Sequence, residues 1–222
     1  MCGRFLLKSP LVEMQQAFRF EERPNLKPRY NVAPTQTVPI VRRGREGEGR
    51  ELALVRWGLV PFWAKDLSIG SKMINARAEG IAEKPAFRAA FKARRCLVPA
   101  DGFYEWQKVD GGKQPMLIRL RSEKLFAFAG LWETWRGPEG PVETCTIATT
   151  EPNTVLAPIH NRMPVILDPK DYDRWLDPSQ PDGQALLRPC PDDWLEAYPV
   201  STRVNTPRND SADLIEPFPN PA

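Results

Sequence analysis

The chain has 222 residues, 41% of them hydrophobic and 27% charged, with a formal net charge of +3. That suffices for one large domain with a substantial core, and the composition is that of an ordinary globular protein rather than a disordered or fibrous one. No apolar run reaches the ~18 residues of a membrane span and no secretory leader pattern opens the sequence.

In chain order, Cys2 to Leu7 reads as a short strand, and Ser9-Pro10 as the N-cap and first turn of a helix running to about Phe20, with Leu11, Met14 and Phe18 as its apolar stripe. Glu21 to Pro28 is a polar connection. Tyr30 to Val41 and Glu51 to Trp57 are expected strands around the loop Gly44 to Gly49, followed by a strand over Lys72 to Glu79 and a helix over Pro85 to Lys92. Further strands are expected over Arg95 to Val98, Phe103 to Val109, Met116 to Arg121, Leu125 to Leu131, Thr144 to Thr149 and Met163 to Leu167. Asp110-Gly111-Gly112 is a hairpin turn. Lys170 to Leu176 begins short C-terminal helices, and Thr206 to Ala222 is a proline-rich tail expected to wrap the surface or fray. Strands are many, helices few, and the two do not alternate, which predicts an α+β fold with mostly antiparallel pairing.

Charge is unevenly placed. Residues 1–100 carry 19 basic and 9 acidic side chains, and residues 101–222 carry 12 and 19. One basic face would attract a polyanion, and arginine outnumbers lysine 21 to 10, which suits bidentate phosphate binding; a base-composition bias produces the same excess. Cys2, Cys96, Cys145 and Cys190 show no C-x-x-C spacing, so zinc and thioredoxin-type sites are not expected, and no cofactor is called for. Cys96 and Cys145 lie in apolar strand-like runs and read as buried thiols of a reducing cytoplasm.

Cys2 stands apart from the other cysteines. Loss of Met1 would leave it as a 1,2-aminothiol, whose amine can form an imine with an aldehyde and whose sulfur can then close a thiazolidine ring. An α-amine titrates near ~7.7–8.0 against ~10.4 for lysine, so far more of it is the free base at neutral pH. The chain holds one histidine, His160, in Ile159-His160-Asn161-Arg162-Met163-Pro164, and an imidazole with a typical pKa of ~6.5 is suited to proton transfer. Glu105, within Gly102-Phe103-Tyr104-Glu105-Trp106, has aromatic neighbours that would desolvate it and raise its pKa. Trp106 could stack on a base or pack in the core. Ile74 to Glu79 as a strand would set Asn75, Arg77 and Glu79 on one face. Phe62 and Trp63 are aromatics in loop-like sequence, a placement that suits contact with a ligand.

Taken together, Met-Cys-Gly-Arg-Phe at 1–5, Tyr-Asn-Val-Ala-Pro-Thr at 30–35, Arg-Trp-Gly-Leu-Val-Pro at 56–61, Ile-Asn-Ala-Arg-Ala-Glu at 74–79, Gly-Phe-Tyr-Glu-Trp at 102–106 and His-Asn-Arg-Met-Pro-Val-Ile-Leu at 160–167 resemble the SOS response-associated peptidase family. The resemblance implies a domain over 1–205, followed by the tail 206–222. The fold expected is a single α+β domain whose mostly antiparallel twisted sheets form a barrel-like core flanked by a few helices.

The resemblance further implies a protein that binds single-stranded DNA containing an abasic site and links to the opened sugar through Cys2 after Met1 is lost. Carried over by motif, Cys2 is the nucleophile, Asn75 and His160 position the sugar, and Glu105 manages protons. Arg4, Arg77 and Arg162 would hold phosphates, and Trp106, Phe62, Trp63 and Asn161 would meet the flanking nucleotides. A monomer in the cytoplasm, associated with the nucleoid and not with a membrane, is expected. Two other readings stay open: a cysteine-type peptidase or N-terminal-nucleophile amidohydrolase, and a non-covalent nucleic-acid reader.

Overall fold

Arg95-Cys96-Leu97-Val98-Pro99-Ala100 has an apolar centre that leaves no face for water, and the whole segment is buried as a central strand. A computed structural model describes residues 2–44 and 49–218. In it, this strand, β6, joins β3 (Thr37–Arg43), β4 (Arg50–Trp57), β9 (Phe126–Gly137) and β10 (Gly140–Thr150) in a continuous ring. The order is β10-β4-β3-β6-β9, and β9 pairs back onto β10 through Gly130↔Ile147 to Gly137↔Gly140. The β4–β10 pairing is parallel and the other four contacts are antiparallel. A closed ring leaves these five strands with no free edge. Short strands β5 (Asn75–Arg77), β11 (Met163–Pro164) and β12 (Ile166–Leu167) extend it by pairing with β10 or β9.

A second sheet, order β13-β8-β7-β1-β2, is antiparallel throughout. Its members are β1 (Phe5–Leu7), β2 (Arg29–Val32), β7 (Gly102–Val109), β8 (Gly112–Leu120) and β13 (Leu195–Pro199). The β7–β8 hairpin closes on Val109↔Gly112, and Gly111 supplies the φ of 84° that the turn needs. Sheet and barrel meet through aromatic side chains. Phe5 on β1 contacts Trp57 and Phe128 edge-on at 5.1 and 6.0 Å, and Phe103 on β7 meets Phe128 at 5.8 Å. The mostly antiparallel α+β fold with a barrel core is thus the one the chain adopts, flanked by the short helices α1 (Leu11–Phe18), α2 (Arg88–Ala93) and α3 (Tyr172–Leu176). Among the described residues no helix is long and apolar enough to cross a membrane.

Local expectations fail where tertiary partners intervene. Ser9 does not cap α1. Its hydroxyl and amide both bond to the buried Asp101 carboxylate, which also accepts the Lys8 amide at 2.6 Å. The strand expected over Tyr30 to Val41 is two strands, separated by a turn in which Thr35 has φ 72°. The stretch from Lys72 to Glu79 is strand only at β5, between 3₁₀ turns over Leu67–Lys72 and Ala78–Gly80. β9 runs on to Gly137, because β10 continues to pair with it, and β13 is an unanticipated strand added to β8. Of the loop Gly44 to Gly49, residues 45–48 lie outside the described residues.

The segment after β13 packs onto the second sheet. Asp210 accepts from Arg29 Nε and the amides of Tyr30 and Asn31, Leu214 is fully buried, and Val200 bridges to Pro217.

Candidate functional site

The N-terminal segment reaches the site as a continuation of β1. Phe5 pairs with Phe103, and the Tyr104 amide donates to the Arg4 carbonyl at 2.9 Å. The antiparallel run therefore carries Cys2 toward the part of β7 that bears Glu105. Cys2 has no exposed surface, and burial pushes its thiol pKa up, with the Glu105 charge adding to the shift. Glu105 is itself 3% exposed, and burial raises its carboxyl pKa while the charge of His160 opposes the rise. Each of these three groups thus lies within electrostatic reach of another. A carboxylate made more basic by burial is a fitting acceptor for a thiol proton that water cannot reach.

His160 sits just before β11. The Arg162 amide donates to His160 Nδ1 at 3.0 Å, an acceptor role that suits the tautomer with its proton on Nε2. The Arg162 carbonyl lies 3.2 Å from the same Nδ1. Gln107 on β7 donates to the Pro158 carbonyl at 3.3 Å, which ties this turn to the Glu105 strand.

The adjoining wall is β5 against β10. The parallel register Ile147↔Asn75, Ala148↔Ala76, Thr149↔Arg77 sets Asn75, Arg77 and Thr149 on one face, while Ala76 and Ala148 are buried on the other. Both polar atoms of the Asn75 amide, and Thr149 Oγ1, are buried without a hydrogen-bond partner among the described residues. Leaving a buried polar group unsatisfied costs ~1–3 kcal/mol, so the pair marks a surface prepared for something else to bond to it. Periodicity identified Asn75. Thr149 joins that face through its register with Arg77, which emerges only from strand pairing.

The expected phosphate ligands divide. Arg77 is exposed. Arg162 forms a bidentate pair with Glu79 at 2.5 and 2.9 Å and also donates to the Thr149 carbonyl. The Nη1 of Arg4 donates to Asn31 Oδ1 and the Val204 carbonyl, so much of its hydrogen-bonding capacity is spent inside the fold. Trp106 is half-buried, lies 5.8 Å from the Arg4 guanidinium and donates from Nε1 to Asn205 Oδ1 at 2.7 Å. Asn161 is exposed beside His160. Phe62 and Trp63, 60% and 49% exposed, stand on the turn between β4 and β5.

Comparison with known proteins decides the family. The family model for the SOS response associated peptidase (SRAP) matches residues 1–207. The chain belongs to that family. Its relatives include the abasic site processing protein YoqW of Bacillus subtilis (strain 168), 48% identical over 97% of this chain and 99% of its own. The abasic site processing protein HMCES of Gallus gallus is 31% identical over 98% of this chain and 78% of its own. A crystal structure of a protein from Bacteroides thetaiotaomicron superposes with a TM-score of 0.88 at 26% identity, covering 98% of this chain and all of that one. The SRAP match contains every side chain described for the site and ends before Asp210, although Asp210 is part of the same hydrogen-bonded structure.

Proposed function

We propose that this SRAP protein captures abasic sites in single-stranded DNA by closing a thiazolidine between the lesion and Cys2, shielding the site during the DNA damage response. Removal of Met1, by self-cleavage in this reading, creates the free α-amine. The amine adds to the C1′ aldehyde of the ring-opened sugar, and loss of water leaves an imine. The sulfur then forms a bond to the imine carbon while the nitrogen gains a proton, so the net change is the loss of one water. Glu105 takes the thiol proton and returns it to nitrogen. His160 delivers a proton to the sugar oxygen during ring opening and during reversal. Asn75 bonds to the opened sugar, with Arg4, Arg77 and Arg162 toward phosphates and Trp106, Phe62, Trp63 and Asn161 toward neighbouring nucleotides.

The observation that carries this reading is the burial of Cys2 beside a carboxyl of raised pKa, with His160 in electrostatic reach of that carboxyl. The unsatisfied Asn75 amide and the relatives' name, abasic site processing protein, support it. A cysteine peptidase or amidohydrolase would use the same three side chains, but peptidase thiols are activated by electropositive surroundings that lower their pKa. Here burial and Glu105 act in the opposite direction.

Intact-mass measurement after denaturation tests the proposal. With an abasic oligonucleotide, the protein lacking Met1 should give an adduct at the summed mass less one water, and Cys2→Ala should give none. Equal adduct yield from Cys2→Ala, or from protein that retains Met1, would overturn the role of Cys2.

A further inference from the structure

We infer that Glu79 is a built-in stand-in for a DNA phosphate, seated on Arg162, that weakens the hold on undamaged single strands so that retention depends on capture of the lesion. The inference rests on the DNA reading above and concerns what sets selectivity within it. Both carboxylate oxygens of Glu79 accept from Arg162, Oε1 from Nη1 at 2.5 Å and Oε2 from Nη2 at 2.9 Å. That fork is the geometry in which a guanidinium would otherwise hold two phosphate oxygens. The guanidinium is fixed from behind by the bond from Nη2 to the Thr149 carbonyl at 2.7 Å. Its side chain is only 13% exposed, whereas that of Glu79 is 59% exposed, so the carboxylate forms the solvent side of the pair.

Glu79 lies in the 3₁₀ turn directly after β5, two residues beyond the exposed Arg77. The negative charge therefore sits beside both arginines that the backbone of a bound strand would need on this wall. A phosphate can take Arg162 only by displacing Glu79, and an ion pair with one exposed partner is weak enough to be displaced. Each passing phosphate thus meets a competitor already in place, while covalent capture of an abasic sugar is unaffected by that competition once the link has formed.

The test is equilibrium binding of an undamaged oligothymidylate, followed by fluorescence anisotropy across a salt series, alongside adduct formation on the abasic strand. Glu79→Gln should bind the undamaged strand roughly tenfold tighter at low salt, as one added charge-assisted contact provides. The slope of log K against log salt should steepen by about 0.7, the value for one more phosphate neutralised on a single strand. Glu83→Gln removes an equal charge from an exposed position on the next turn and should stay within about twofold of the parent, since the Arg162 fork is made with Glu79 and an exposed charge is screened. In the double variant Glu79→Gln with Arg162→Gln, the gain should vanish. Unchanged or weaker binding by Glu79→Gln would mean that Glu79 merely orients Arg162, and an equal gain in Glu83→Gln would mean that only overall charge matters; either result overturns the inference. A parent protein that forms adducts while Glu79→Gln gains nothing loses this inference alone. A parent that neither binds single strands nor forms adducts loses the DNA reading beneath it.

Discussion

At the scale of the residue, Glu105, the proposed proton carrier, is buried at a cost in stability. Burial raises its carboxyl pKa, so the folded protein holds that proton to a higher pH than the unfolded chain does. The contribution to stability is complete below the unfolded carboxyl range, near ~4.3, and is lost as pH rises through the raised folded value. Glu105→Gln removes the buried charge but keeps the shape. It should stabilise the protein at about pH 8 by ~0.5–2 kcal/mol, with the gain shrinking toward about pH 4, as read from thermal unfolding at several pH values. Adduct formation by the same variant should slow by about 10²-fold or more, the usual contribution of a positioned acid–base group. A Gln variant less stable than the parent at high pH would show that the carboxylate is held by partners rather than penalised by burial. Arg4 gives a different lesson. The family resemblance implied a phosphate ligand there, yet its Nη1 bonds to Asn31 and Val204, so it anchors the N-terminal end of the chain to the fold.

At the scale of the element, the last segment is a strap that holds β1 and β2 in register with the site. Asn31, on β2 and fully buried, accepts from Arg4 and donates to the carbonyls of Val204, Thr206 and Asn209. Asp210 accepts from Arg29 Nε at 2.5 Å, from the Tyr30 amide at 2.5 Å and from the Asn31 amide at 3.0 Å. Asn205 holds the Trp106 indole from the same strap. Asp210→Ala leaves three donors without their acceptor and should cost ~1–3 kcal/mol, seen as a lower denaturant midpoint. Unchanged stability in that variant would mean that water or another side chain replaces the carboxylate, leaving the strap to be held by its apolar contacts. The strap lies at the start of the proline-rich stretch Thr206 to Ala222, which composition alone suggested would wrap the surface or fray. What holds it is a set of side-chain bonds to residues 170 or more positions away.

At the scale of the whole molecule, the barrel places β5 and the His160 turn on the same strand, β10, and the second sheet brings Cys2 and Glu105 to them. Closure demands tight approach inside the ring. A Cβ added at Gly130 would come within 2.8 Å of Val98 Cγ2, 2.9 Å of Cys96 Sγ and 3.1 Å of the Thr146 carbonyl oxygen. Gly130→Ala should therefore overpack the barrel and cost ~1–3 kcal/mol, as a lower midpoint with an unchanged denaturant slope. A neutral result would indicate that β6 and β10 can separate without loss, contrary to a closed ring.

The sequence by itself determined most of the strands, the Asp110-Gly111 turn, the buried thiols of Cys96 and Cys145, and the chemical types at Cys2, Asn75, Glu105 and His160. These follow from local periodicity and from functional groups that each residue carries wherever it is placed. Tertiary structure alone decided that β9 pairs with both β6 and β10, that Ser9 bonds to Asp101 instead of capping α1, that β13 exists, and that Glu79 covers Arg162. Side-chain periodicity tells a strand which face to bury, but not which distant strand will satisfy its edge. A charged side chain likewise carries its donors in the sequence, while the partner it meets is set by the geometry of ring closure.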